Sequence, residues 1–134
     1  MTPQKQTILS GEGKVGNCLQ ACVASLLDLP LDQVPHFSSY GERWYQHLYR
    51  FLEGRGYELD YIHGMKQEER WPSDYKGIDG YFIVGGESPR GAIGGHAVIY
   101  FEGEPYFDPH PSNDFILEEH QVYVIRKREP SGGK

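Results

Sequence analysis

A chain of 134 residues with 38% apolar content is about one domain long and holds enough hydrophobic material to close a single core. Its net charge of -6 speaks against a protein that lives on nucleic acid, because phosphate neutralisation needs clustered Lys and Arg, and the one basic cluster, Arg126-Lys127-Arg128, sits near the chain end beside Glu129. No apolar stretch approaches the ~20 residues of a membrane span, and the opening MTPQKQTILSGEGK lacks the apolar middle of a secretory signal, so the expected compartment is the cytoplasm, with no membrane partner.

The first sixteen residues carry three glycines and little periodicity, which predicts an extended entry segment followed by a loop. A helix is predicted from Cys18, where Leu19, Cys22, Val23, Leu26 and Leu27 recur on one face; Asn17 stands at the capping position and Pro30 is the expected stop. The stretch from Leu31 to Phe37 has room for no more than a short turn. A second helix is expected from Glu42 to Glu53, with Trp44, Leu48, Phe51 and Leu52 on its apolar stripe and a left-handed stop at Gly54 and Gly56. It is expected to pack beside the first.

After Gly56 the period changes to two: Tyr57, Leu59 and Tyr61 alternate with Glu58 and Asp60 as in a half-buried strand. The polar segment from His63 to Gly80 is expected to be an irregular excursion, a rim or lid of the fold. Strands are predicted at Tyr81 to Val84, Ala97 to Phe101, Pro105 to Phe107 and Val122 to Arg126, the middle two joined through Glu102-Gly103. Helices first and mostly antiparallel strands later describe an α+β domain. One domain is expected over residues 1–129, with 130–134 a disordered tail.

The two cysteines are too few and too close for a disulfide framework, so free thiols are expected. Cys18 falls on the first turn of an apolar helix, where unpaired backbone N–H groups and the positive end of the helix dipole favour a thiolate. The same N–H groups can receive negative charge that develops on a carbonyl oxygen. Such a thiolate needs a base, and His96 is the best placed of the six histidines, opening a strand behind Gly94-Gly95, which leave space for a substrate backbone. Asp108 ends the adjoining strand, where a hairpin brings it alongside His96 to fix the ring tautomer. The alternative readings are plain ones: a buried core cysteine, a satisfied strand histidine, and an Asp-Pro turn starter.

Other residues invite separate readings. Cys22 lies one turn beyond Cys18 on the apolar face and is read as core. Cys18, Cys22, His96 and His110 compose a Cys2His2 set, but zinc sites use short chelating loops, so no metal and no cofactor are expected. Arg90, in the Ser88-Pro89-Arg90-Gly91 loop, can clamp a substrate carboxylate or backbone or can belong to a solvated turn. His36, His47, His63 and His120 read as surface or packing residues.

These motifs in this order resemble the papain-like cysteine peptidases, and within them the bacteriocin-leader peptidases. Cys18 and Cys22 look like that family's nucleophile and its second cysteine, Gly95-His96-Ala97-Val98 like its base-bearing strand, and Asp108-Pro109 like its Asp-Pro turn. GNCLQACVASLLDLPLDQVPHF, SPRG, GGHAV and FDPHPS also resemble small proteins of phages and bacteria, and the likeness spans roughly residues 6 to 125. It implies a papain-like fold, N-terminal helices on a mostly antiparallel sheet, and a Cys-His-Asp hydrolase acting on a peptide or protein substrate. The same thiol site serves a protein deamidase, and a binding protein that keeps the fold without catalysis is the alternative. Two departures stand out. Leu19 follows the nucleophile where the family has glycine, and Glu12 lies six residues before Cys18 where the family has its oxyanion glutamine. Gln6 is the nearest upstream glutamine and reaches the site only if residues 11 to 16 loop out; Asn17 and the backbone N–H of Cys18 are the other candidates. Neither the sequence nor the resemblance specifies an oligomeric state.

Overall fold

The computed structural model describes residues 1–11, 13–64, 78–92 and 95–128. The expected tail at 130–134, residue Gly94 and most of the predicted excursion after His63 lie outside the described residues.

The architecture is α+β: two helices, α1 (Cys18–Leu27) and α2 (Trp44–Gly54), and five strands, β1 (Tyr57–His63), β2 (Tyr81–Gly86), β3 (His96–Phe101), β4 (Glu104–Phe107) and β5 (Glu119–Lys127). The strands form one sheet in the order β1-β5-β2-β3-β4, and every neighbouring pair is antiparallel. The β3–β4 hairpin turns at Glu102 (φ 50°) and Gly103 (φ 86°). Two successive positive φ values give the turn a twist that matches the strands it joins. Pro105 has no N–H for a ladder, which suits its place on the edge strand β4, where the register slips between Ile99 and Tyr100.

Strands β2 and β3 are apolar along their length because both faces of the sheet are covered. On one face Ile83, Ala97, Ile99 and Tyr123 pack with Leu19, Cys22 and Val23 of α1, with Phe37, and with Leu48 and Leu52 of α2. On the other, Phe82, Val84, Val98, Tyr100, Val122 and Val124 form a second cluster with Ile62, Ile78, Phe115 and Ile116. β1 keeps the half-buried alternation, exposing Glu58 and Asp60.

The helix boundaries and packing differ from expectation in three ways. α1 stops before Pro30, because Asp28 takes the left-handed conformation (φ 56°, ψ 40°) and closes the helix onto Ala24 and Ser25. A 3-10 segment, Phe37–Arg43, precedes α2, and its kink at Gly41 (φ 59°, ψ -126°) lets the chain change direction. That segment touches both helices, so α2 rests on it and on β1 and does not lie against α1. Phe37, fully buried, fills the space between.

Candidate active site

The N-terminal segment decides where the first turn of α1 sits. Asn17 makes no side-chain cap with the helix, contrary to its expected role. Its Oδ1 instead accepts the backbone N–H groups of Thr7 (3.0 Å) and Ile8 (2.8 Å), while Nδ2 donates to Thr7 Oγ1 (3.0 Å) and Gln20 Oε1 (3.1 Å). Gln20 Nε2 in turn donates to the carbonyls of Leu31 (3.0 Å) and Val34 (2.8 Å). With its side chain 1% exposed and bonded at both ends, Asn17 is a structural clamp and has no donor left for a substrate oxygen.

This clamp holds Cys18 at the mouth of α1, half-buried, whereas Cys22 is sealed in the core. Both thiols are free. Burial pushes the Cys22 thiol well above its ordinary value, with smaller contributions from Cys18 and Asp108, and leaves it in the inert protonated form.

His96 begins β3, and its Nε2 bonds Asp108 Oδ1 at 2.7 Å. The Cys18 sulfur lies near enough to this ring to help hold it in the charged form. Nε2 being taken by the carboxylate, Nδ1 is the nitrogen left for the sulfur. Burial opposes charge on His96, but the hydrogen bond to Asp108, the nearby Cys18 sulfur and the charges of both outweigh it and raise the ring to about 9. Asp108 shows the mirror image. Burial would raise its carboxyl, yet His96 and the backbone N–H groups of His110 (2.9 Å) and Phe115 (2.8 Å) hold it below the usual carboxylate range. The bond from His110 to Asp108 Oδ1 is that of an Asx turn, so the turn-starter reading and the orienting reading of Asp108 describe the same residue.

The glycine before the ring has a steric reason. Gly95 adopts φ +82°, and a Cβ there would run into the carbonyl oxygen of Gly86 on β2. Only glycine lets the chain enter β3 at this angle.

The described residues between Gly11 and Gly16 do turn the chain back on itself. Gly11 and Lys14 exchange backbone hydrogen bonds (3.2 and 2.8 Å), and the Gly16 N–H donates to Ser10 Oγ (2.9 Å), so the two legs of the loop are pinched together. Gln6 thereby arrives beside Gly16, its Nε2 only 3.2 Å from where a Cβ on that glycine would stand. That nitrogen donates one hydrogen to the Ile8 carbonyl (2.8 Å), and the buried Oε1 has no partner among the described residues.

Two clefts meet at Cys18 and His96. One, about 380 Å³, is walled by Val15, Leu19, Trp44, Ala97, Gln121 and Tyr123. The other, about 710 Å³, is lined by Gln6, Lys14, Arg90, Gly95 and His110 among others. Arg90 is carried there by a turn in which the Gly91 N–H bonds the Ser88 carbonyl (3.1 Å). Among the described residues, no group of three or more His, Cys, Asp or Glu could hold a metal ion, and no helix is long and apolar enough to cross a membrane.

Sequence reasoning missed Lys5 and the aromatic wall. Lys5 Nζ donates to the carbonyls of Asp108 (2.9 Å) and His110 (3.0 Å) and to Asn113 Oδ1 (2.6 Å), fixing the turn that carries the carboxylate. No local pattern marks a lysine in an extended segment for such a task. Trp44 and Tyr123 did carry a signal, as aromatics on predicted elements, but that signal reads equally as core. Compared with protein-family models, curated proteins and solved structures, the chain matches none.

Proposed function

We propose that this protein is a papain-like cysteine hydrolase that cleaves an amide bond, most simply in a peptide or protein, by acyl transfer through Cys18. The observation that carries the reading is the line of three groups from three separate segments: a half-buried cysteine at a helix mouth, an imidazole whose charged form it supports, and a buried carboxylate on that ring's Nε2. Purely structural histidines rarely need both partners; a general base does.

In the proposed reaction the Cys18 sulfur attacks the amide carbonyl carbon, and the carbonyl oxygen takes up the negative charge. The N–H of Cys18, on the first turn of α1, and the second hydrogen of Gln6 Nε2 are the donors for that oxygen. His96, charged while the sulfur is a thiolate, gives its Nδ1 proton to the departing nitrogen as the C–N bond breaks. The neutral ring then takes a proton from water, whose oxygen attacks the thioester and releases the acid and the thiolate. Asp108 keeps Nε2 protonated and steadies the imidazolium throughout. Leu19 raises no obstacle to this scheme, since its side chain faces the core and leaves the backbone N–H groups at the helix mouth.

The test is thiol reactivity near neutral pH, read by mass spectrometry after brief exposure to iodoacetamide. Cys18 should be alkylated well before Cys22, Cys18→Ala should abolish the fast reaction, and His96→Ala should slow it at least tenfold. Cys18 reacting no faster than an unfolded-chain thiol, and indifferent to His96→Ala, ends the hydrolase reading in favour of a binding protein.

A further inference from the structure

The larger cleft carries a network that the acyl-transfer chemistry does not use. Ser112 is its centre. Arg90 Nη1 donates to Ser112 Oγ (3.0 Å), and the same oxygen lies 2.9 Å from His110 Nδ1. The backbone N–H of Ser112 also donates to that Nδ1, at 3.0 Å. A ring nitrogen that accepts a backbone N–H must present its lone pair, so the hydrogen of the neutral His110 ring sits on Nε2. Burial and the neighbouring Arg90 and His96 charges push His110 below the ordinary histidine value, which agrees with a neutral ring. Among the described residues Nε2 has no hydrogen-bond partner.

His110 thus offers a donor of fixed tautomer 5.9 Å, ring to ring, from His96, on the wall that also bears Arg90 and Lys14. In a chain of net charge -6, the described residues lining this cleft include two full positive charges and no carboxylate. Among the described residues, the acid paired with Arg90 is Asp114, 4.0 Å away and mostly exposed, so solvent screens the pair and leaves the guanidinium largely unneutralised. Ser112 holds one nitrogen of the guanidinium fork and leaves the rest of its planar face for a ligand.

We infer that Arg90 and His110 form a carboxylate-binding arm of the Cys18 cleft, so that the substrates attacked there bear an anionic carboxylate beside the scissile amide. The inference rests on the hydrolase reading and deepens it by naming a substrate class. A carboxylate bound by the guanidinium fork can accept the Nε2–H of His110 with its second oxygen, and the apolar cleft walled by Trp44 and Tyr123 takes the opposite side of the bond. The carboxylate can be the free end of a peptide or an acidic side chain.

Two electrophiles of nearly equal size separate charge from access: iodoacetate, an anion, and iodoacetamide, its neutral analogue. In each the Cys18 thiolate forms a bond to the methylene carbon and iodide leaves. The quantity to measure is the ratio of the two alkylation rates at Cys18. That ratio should fall about tenfold in Arg90→Gln and several-fold in His110→Phe, the scale of a lost charge-assisted hydrogen bond. It should hold steady in Lys127→Gln, which removes an exposed charge at the far end of β5. An unchanged ratio in both cleft variants, with Cys18 still fast toward iodoacetamide, overturns the carboxylate arm and spares the hydrolase; a Cys18 inert to both reagents overturns both. Protection of Cys18 from iodoacetamide by triglycine, by triglycine amide and by glycyl-aspartyl-glycine amide then assigns the source. Protection by the first alone indicates a chain end, by the last alone an acidic side chain, and no advantage of either over triglycine amide, which lacks a carboxylate, also overturns the arm.

Discussion

Lys5 donates its ammonium to the carbonyl oxygen of Asp108 at 2.9 Å, joining points 103 positions apart in sequence. Beside it the Gln6 N–H donates to the Pro109 carbonyl at 3.0 Å, while Gln4 reaches the other way to Ser25 and Leu29 around the end of α1. The entry segment therefore straps the helix that bears the sulfur to the turn that bears the carboxylate.

Replacing Lys5 with Met removes three hydrogen bonds and also the ammonium that stands over the Phe107 ring, 5.2 Å from its centre. The loss should cost about 1.5–3 kcal/mol of stability, the scale of hydrogen bonds to a charged group, measured as a lower urea midpoint. Alkylation of Cys18 should slow as well, because Asp108 loses its anchor.

The His96–Asp108 pair predicts a pH profile of stability. Asp108 is depressed in the fold, so its contribution is present above the unfolded value near ~3.9 and disappears as pH falls through the folded one. His96 is raised, so its contribution is complete below ~6.5 and disappears as pH rises through about 9. The Tm advantage of the native chain over His96→Gln should be widest between about pH 4 and 6.5 and shrink steadily toward pH 9. An advantage that is flat across this range contradicts the pairing.

Cys22 should stay unlabelled in the native protein and react only under denaturing conditions, since burial both protonates its thiol and shields it. Cys22→Ala should cost about 1–2 kcal/mol as a small cavity in the core and leave rapid labelling of Cys18 intact.

At Gly95, Ala should be poorly tolerated. A positive φ imposes strain of ~1–3 kcal/mol on a residue with a Cβ, and the Gly86 carbonyl must also move. Thermal denaturation should show a lower Tm, and His96 displaced from its entry angle should slow Cys18 labelling.

Much of this was legible because it is written in short-range patterns. The start of α1 follows from its apolar periodicity, the β3–β4 turn from Glu102-Gly103, and the buried strands from continuous apolar runs. The order of Cys18, His96 and Asp108 along the chain pointed to three groups that the fold does bring together. What escaped was set by contacts between distant segments. Asn17 has the composition of a helix cap, yet two backbone N–H groups from the entry segment claim its oxygen. The 3-10 segment 37–43 has neither the length nor the period of a helix, and its kink at Gly41 breaks what pattern there is. Ser112 and His110 stand two residues apart in one turn, but nothing local marks their link to Arg90, which a separate loop brings from 22 positions away.

The pinched loop at Gly11 and Lys14 has a bearing on how such chains should be compared. Once its two legs are fastened to each other, the number of residues beyond the fastening no longer affects how far Gln6 stands from Cys18. Counting residues between a glutamine and a cysteine is then a poor ruler. A fixed residue count would misjudge the separation of Gln6 and Cys18, because the excursion adds length to the chain without adding distance between them.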